Sequence, residues 1–401
     1  MQTISSKNQV RLITVLFTFT YMVSYITRIN YGAIIAEMEN ATSLSRAALS
    51  LSLTGSFITY GVGQIISGII GDKFSPKKLV AIGLGASAIL NMLIPLCSSA
   101  YSLLAVWCIN GFAQSFMWPP MVKLMTALLS EADYKKTTVM VSCGSSFGTI
   151  AVYLLAPLVI SWLNYKWVFV ISALCGFIML VLWQRFSPDF NKTQVKNQKQ
   201  KEGSAKILLT PLMLTIMFVI VLQGSLRDGV TTWMPSYISE TYSLSSVISI
   251  LTGVVLPLFS IACFNITEKL YSKLFTNPIS CAGIIFSVGA LSAALLCVLT
   301  GKGAIYSVLL SALLTGTMHG VNLMLVCMVP AYFKKYGNVS TASGIINSCT
   351  YIGSAISTYG IAAVSESYGW NTTLWLWFAI AAVGSALCFA CVKPWSKTMA
   401  D

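Results

Sequence analysis

Charge is scarce in this sequence. Only 9% of its 401 residues are charged and 56% are hydrophobic, a balance outside the range of a soluble domain with a solvated surface. The chain therefore reads as an integral membrane protein. It also lacks a Gly-rich Walker loop and any cluster of residues at metal-ligand spacing, so nothing points to an enzyme, a cofactor or a bound metal. Histidine occurs once, as His319. Long polar runs are absent but for "DFNKTQVKNQKQKEGSAK", 189–206. No small-residue cleavage site follows the first apolar segment, which is expected to be a retained helix and not a signal peptide. The eleven cysteines are scattered through apolar segments, where sulfur packs as a small hydrophobe. Cys388 and Cys391 form a C-x-x-C, but inside an apolar segment and without partner ligands, which argues against a redox or metal role.

What the sequence does have is a series of apolar runs. A helix crossing a hydrocarbon core of roughly 30 Å needs about 20 residues. Charged and Pro/Gly/Asn clusters cut the chain into twelve segments of that size, near 9–37, 47–71, 78–98, 101–129, 138–161, 166–184, 209–238, 244–266, 279–299, 304–332, 340–363 and 372–392. The net charge of +13 raises the question of nucleic acid, and the positions of the 25 Lys and Arg answer it. Lys7, Arg11, Lys73, Lys77, Lys78, Lys135, Lys136, the run from Arg185 to Lys206, Lys269, Lys273, Lys334, Lys335, Lys393 and Lys397 fall in every second loop or at a terminus. The opposite loops hold Arg46, Lys166 and Lys302. Under the positive-inside rule, both termini and the central polar run lie in the cytoplasm of a multi-pass inner-membrane protein. The basic balance is a topology signal, and no nucleic-acid partner is expected.

Residues 189–207 are expected to be a flexible cytoplasmic linker between an N-terminal six-helix half, 1–188, and a C-terminal six-helix half, 208–401. The halves echo each other. "GDKFSPKK" after segment 2 has a faint counterpart in "TEKLYSKL" after segment 8, and Arg28 has one in Arg227; Asp72 and Glu268 are 196 residues apart, Arg28 and Arg227 199. This plan resembles that of major facilitator transporters, an all-α membrane fold with a site near the midplane between halves. "SGIIGDKFSPKK", 67–78, is similar to that family's signature between helices 2 and 3. The resemblance implies a conformational latch, in which Asp72 accepts from the N-terminus of a neighbouring helix while Lys73, Lys77 and Lys78 sit at lipid headgroups. An ordinary positive-inside loop would explain the lysines but not Asp72 after Gly68 and Gly71.

Besides His319, the ionisable side chains placed inside segments and away from their ends are Arg28, Lys123, Arg227 and Asp228. Such groups cost several kcal/mol near the bilayer centre unless they face protein or water. Arg28 either points inward or snorkels to the outer surface. Arg227 is flanked by Gly224, Gly229 and Pro235, a composition expected where a helix bends and lines a cavity. Because the two arginines hold equivalent positions in the halves, both are expected to face one central cavity. Two guanidinium groups at roughly 8 Å repel by about 2 kcal/mol at an effective dielectric of 20. An anion relieves this, and the planar fork of Arg gives a tetrahedral oxyanion two parallel charge-assisted bonds. Adjacent residues do not face each other on a helix, so Asp228 is expected not to neutralise Arg227 but to pair elsewhere, with Lys123 for example, or to cap a bent segment. Lys123, shortly after "WPP", either funnels anions near the cytoplasmic mouth or snorkels. His319, between Gly316 and Gly320, is expected to line the cavity and to be its one group titrating near neutrality; the alternative is a hydrogen-bonded structural histidine.

Four stretches together resemble one branch of that superfamily, the organophosphate:phosphate antiporters that include glycerol-3-phosphate and hexose-phosphate carriers. They are "SYITRINYG" with Arg28, "NGFAQSFMWPPMVKLM" with Asn110, Gln114 and Trp118, "LRDGVTTWMPSYI" with Arg227, Trp233 and Pro235, and "SGIINSCTYIGSA" with Tyr351. The resemblance covers the whole chain. It implies that Arg28 and Arg227 bind the substrate's phosphate, with Tyr351 and His319 close by. Tyr351 and Trp118 have packing as an alternative, since aromatics at helical spacing usually pack. Glycerol-3-phosphate carriers have a Lys where this chain has Gln64, a His where it has Ser145 and a Tyr where it has His319, so the organic part of the substrate is not set by the resemblance.

The expectation is a monomeric carrier that exchanges a small anionic organic phosphate, of sugar- or glycerol-phosphate type, for inorganic phosphate by alternating access. Closure of an empty, doubly cationic site is disfavoured, which favours exchange. One rival is a proton-coupled symporter of organic carboxylates such as sugar acids, for which Asp228 is the available titrating carboxyl. The other is a transporter-like sugar-phosphate sensor, which binds without appreciable flux. Drug efflux does not call for two cavity arginines.

Overall fold

The computed structural model describes residues 4, 6–42, 44, 46–188, 207–244, 252 and 254–400, and the expected linker at 189–207 lies outside them except for its last residue. The described residues form thirteen α-helices and no strand. In chain order they are α1 (Lys7–Ala33), α2 (Ile35–Ala41), α3 (Arg46–Lys73), α4 (Pro76–Leu93), α5 (Ala100–Gln114), α6 (Trp118–Leu128), α7 (Glu131–Trp162), α8 (Tyr165–Phe186), α9 (Pro211–Tyr242), α10 (Val255–Leu274), α11 (Pro278–Leu299), α12 (Ala304–Asn322) and α13 (Val339–Ala400). Local chemistry sets many of the starts. Ser130, Asn164, Thr210 and Asn277 each precede a helix and accept from the amides of Asp133, Lys166, Met213 and Ile279 at 3.2, 3.0, 3.4 and 2.8 Å, satisfying donors that a membrane interface would otherwise leave open. Nine stretches among the described residues are long and apolar enough to cross a bilayer.

Several of the twelve sequence segments differ in detail. The fourth is two helices, α5 and α6, because consecutive Pro119 and Pro120 open α6 and supply no amide to the turn before them. The eighth continues as α10 through the expected loop to Leu274, since Phe264, Thr267 and Tyr271 stay buried at helical spacing while Lys269 and Lys273 face out. The tenth leaves α geometry after Asn322, passing through a π stretch, Leu323–Met328, into a 3-10 stretch, Val329–Tyr336. The eleventh and twelfth follow one another as two helices within the stretch numbered α13, with the kink between them at Gly369, whose φ of 77° a residue without Cβ adopts freely.

The described residues fall into two compact units. The first comprises Met1–Lys201 with Phe333–Ser348, and the second Glu202–Tyr332 with Cys349–Asp401. In the first unit α1 packs along α7 and α8, α3 along α5, and α4 along α8. The α1–α7 approach depends on Gly144, where a Cβ would stand 2.7 Å from the Thr18 carbonyl oxygen. Tyr31, Trp107 and Phe169 form an aromatic core with ring centroids 4.9 to 6.0 Å apart. In the second unit α12 is central, packed on α9, α10 and α11. Large apolar side chains such as Phe57, Ile82, Leu154, Val181 and Leu291 are exposed, as expected where lipid is the solvent.

One group of buried polar side chains in the first unit is joined into a network. Asn30 donates to Asn91 at 2.8 Å, Asn91 to the Thr27 and Ser87 carbonyls at 2.9 Å each, and Ser87 to Asn110 at 2.8 Å. Asn110 donates to the Thr27 carbonyl at 3.2 Å, and Gln114 to the hydroxyls of Thr27 and Ser87 at 2.8 and 2.7 Å. This network ties α1, α4 and α5 and accounts for Asn110 and Gln114 as structural groups. It also fixes the turn of α1 that carries Arg28.

Candidate functional site

Each unit carries one of the two arginines. In the first, the Arg28 guanidinium carbon lies 4.1 Å from the ring centre of Tyr25, one turn earlier on α1, and 4.8 Å from that of Tyr60 on α3. Attraction of the cation to the two tyrosine rings holds it against protein. Such a residue faces protein, which is not the snorkelling geometry. The aromatic line continues from Tyr25 to Tyr21 at 5.2 Å and on to Trp118 at 4.9 Å. Trp118 is buried, and its indole N–H has no acceptor among the described residues.

Gln64 and Ser145 are both buried. The Gln64 amide donates to the Ser115 carbonyl at 3.4 Å and accepts from Asn347 at 3.0 Å. Ser145 donates to the Ser142 carbonyl of its own helix at 2.6 Å, the common way a hydroxyl is satisfied inside an apolar helix. Both side chains are therefore engaged by protein.

In the second unit the structure corrects the expectation for Asp228. Arg227 Nε and Nη2 donate to Asp228 Oδ1 and Oδ2 at 2.7 and 2.8 Å, a two-pronged ion pair between sequence neighbours. The rule that adjacent residues diverge describes Cβ directions. A long arginine curls back along the helix to its neighbour where an unpaired charge is costly. Ser354 of α13 also donates to Asp228 Oδ2. The glycines around Arg227 have a packing role: Gly224 abuts the Thr350 backbone and Gly229 abuts Ser357 and Ile361, so α9 lies close on α13. Gln223, one turn before Arg227, donates to the Met318 carbonyl at 3.0 Å and so anchors α9 to α12 beside His319. The His319 ring meets Phe264 edge-on, with centroids 5.4 Å apart. Tyr351 is half-buried on α13 and precedes Ser354 by one turn.

Lys123 also needs correcting, because it neither pairs with Asp228 nor stands at an open mouth. It is buried, donates to the Gly71 and Asp72 carbonyls at 3.0 and 2.9 Å, and lies 3.5 Å from Asp72 Oδ1. The Asp72 carboxylate accepts from the Ser340 and Thr341 amides at 3.0 and 2.8 Å, the open donors at the first turn of α13, where a negative charge is favoured. Gly68 lets this turn approach, since a Cβ there would stand 2.7 Å from the Ser340 carbonyl. Lys73 is exposed beside this joint. Asp72→Asn strands a buried ammonium and is expected to cost about 3 kcal/mol of stability, whereas adding Lys123→Met should recover much of the loss. Denaturation of wild type and the two variants in detergent tests this, and equal losses in the single and double variants would contradict it.

Sequence reading missed Tyr60, Ser354, Asn347 and Ser340. Hydroxyls and amides in apolar helices give no sign of which long-range partner they will meet. Tyr25, one turn from Arg28 on the same helix, was within reach of a spacing argument.

The fold and these buried charges define a multi-pass helical transporter. The sequence profile of the Major Facilitator Superfamily matches residues 17–326, and the chain belongs to that superfamily. It is 25% identical over 412 residues to the membrane sensor protein UhpC of Salmonella typhimurium, covering 95% of this chain and 90% of the relative. It is 27% identical to the glycerol-3-phosphate transporter of Bacillus subtilis over 86% of this chain and 84% of the relative. The identity to a probable hexose phosphate transport protein of Chlamydia muridarum is 22% over 88% and 84% of the two chains. The crystal structure of the Escherichia coli fucose:proton symporter FucP shares the fold, with a TM-score of 0.72 at 14% identity over 95% of this chain and 97% of that one.

Proposed function

We propose that this protein is an inner-membrane carrier that exchanges a small organic phosphate for inorganic phosphate by alternating access, with Arg28 and Arg227 each giving a guanidinium to the substrate's phosphate. The observation that carries this reading is a protein-held arginine at the corresponding place in each half, one stacked on tyrosines and one in a two-pronged carboxylate pair. Permanent cations with planar forks suit phosphate, not an apolar or neutral cargo. Likeness to glycerol- and hexose-phosphate transporters over most of the chain supports the substrate class. The Asp72 joint serves in this reading as a latch released once per cycle, and the basic loops keep both termini cytoplasmic.

Binding is tested by thermal shift of the purified protein with inorganic phosphate, glycerol-3-phosphate, a hexose phosphate and carboxylates of similar size. A ligand at a hundred times its Kd stabilises by about 2.7 kcal/mol. Stabilisation by phosphates and not by carboxylates is expected, and the reverse order would favour sugar-acid transport. The same assay examines His319. His319→Tyr should keep phosphate affinity within about threefold, whereas His319→Ala, losing a polar contact to a charged ligand, should weaken it by about tenfold. Unchanged affinity in both variants would assign His319 to packing on Phe264 alone.

A sensor reading has one observation in its favour, the likeness to a protein named as a membrane sensor. A sensor binds phosphates in this assay yet gives no flux in vesicles.

A further inference from the structure

Arg227 does not meet an incoming anion with an empty fork. Its Nε and Nη2 form one of the two bidentate edges of the guanidinium, and both are taken by the carboxylate of Asp228. The carboxylate is the more exposed partner, with 33% of its side chain accessible against 12% for the arginine. It is steadied from a second helix by the Ser354 hydroxyl. An anion that takes this edge of Arg227 must therefore replace Asp228.

Resting on the reading that Arg227 holds the substrate's phosphate, we infer that Asp228 is a specificity-determining residue: a tethered carboxylate that fills the Arg227 fork until a doubly charged phosphate displaces it, with Ser354 holding it in place. The charge arithmetic gives the direction. Exchanging one singly charged group for another at Arg227 gains no Coulomb energy and leaves Asp228 without its partner. A phosphate monoester carries about 1.5 to 2 negative charges at neutral pH, and inorganic phosphate is a mixture of its singly and doubly charged forms, so the attraction of either to the same arginine exceeds that of a single charge at equal distance. A group tethered in place also competes at an effective concentration in the mM range or above, which holds off weak single anions at cellular concentrations. Asp228 thus acts as a charge threshold that admits phosphate monoesters and inorganic phosphate and excludes monocarboxylates and phosphodiesters.

The test compares wild type, Asp228→Asn and Ser354→Ala by calorimetric titration and thermal shift of the full chain at pH 7.5. The probes are inorganic phosphate, glycerol-3-phosphate, glycerate and dimethyl phosphate. Asn keeps the size of Asp and a group able to meet Ser354, but loses the charge that competes. Wild type should bind the two dianions and neither monoanion. Asp228→Asn should bind phosphate at least tenfold more tightly and bind glycerate or dimethyl phosphate measurably. Ser354→Ala, which loosens Asp228 without removing it, should tighten phosphate about threefold, and it decides the matter if Asp228→Asn does not fold. Phosphate binding by wild type that is unchanged or weaker in the variants, or monoanions still excluded by Asp228→Asn, overturns the inference and leaves the phosphate reading standing. No phosphate binding by any folded variant, wild type included, overturns the phosphate reading itself.

Discussion

Arg28→Lys and Arg227→Lys should each lower phosphate exchange by about a hundredfold although the positive charge is kept. That factor corresponds to about 2.7 kcal/mol of activation free energy, within the range for losing charge-assisted hydrogen bonds at a buried site. The two substitutions fail for different reasons. At position 28 the guanidinium lies over the rings of Tyr25 and Tyr60, and a lysine ammonium is a compact, mobile point charge without the planar group. At position 227 the loss is the fork itself, and Asp228 remains beside a cation that meets it with one contact in place of two. The check is counterflow of labelled phosphate in proteoliposomes with matched protein content. Near wild-type exchange in either lysine variant removes that arginine from the site.

The second large effect separates exchange from proton symport. Vesicles loaded with inorganic phosphate should take up labelled phosphate or an organic phosphate at least tenfold faster than empty vesicles, and an imposed proton gradient should add little. A symporter needs a carboxyl whose protonation follows transport, and Asp228 is the side chain the sequence offers for that task. Its carboxylate lies against the Arg227 guanidinium and the Ser354 hydroxyl, both donors that favour a negative charge. Such a group is a poor proton carrier. Robust gradient-driven uptake into empty vesicles, abolished by Asp228→Asn, would replace antiport with symport. Phosphate binding without flux under either condition would instead identify a sensor.

Much of this could be read from residue order, because lipid penalises charge heavily and so makes each intramembrane ion informative. Arg28 and Arg227 stood out for that reason, and their spacing brought out the halves. Asp72 stood out because no lipid-facing role explains an acid among lysines. What stayed hidden depended on side-chain length and long-range encounter. Lys123 meets carbonyls 51 and 52 residues away, and no local pattern foretells that. Asp228 was misjudged because helix geometry was applied to its Cβ and not to the reach of the arginine beside it. The break in segment 4 was visible as two prolines and went unread because the apolar run continued past them.

The buried amide network of the first unit bears on how the chain is made. Asn30 finds Asn91 61 residues later, and Thr27 waits 83 and 87 residues for Asn110 and Gln114. As α1 leaves the ribosome, the Thr27 hydroxyl can already bond the Val23 and Ser24 carbonyls of its own helix, but the Asn30 side-chain donor meets its partner only when α4 brings Asn91. An amide donor without a partner in hydrocarbon is costly. That cost favours early packing of α1 with α4 over insertion one helix at a time.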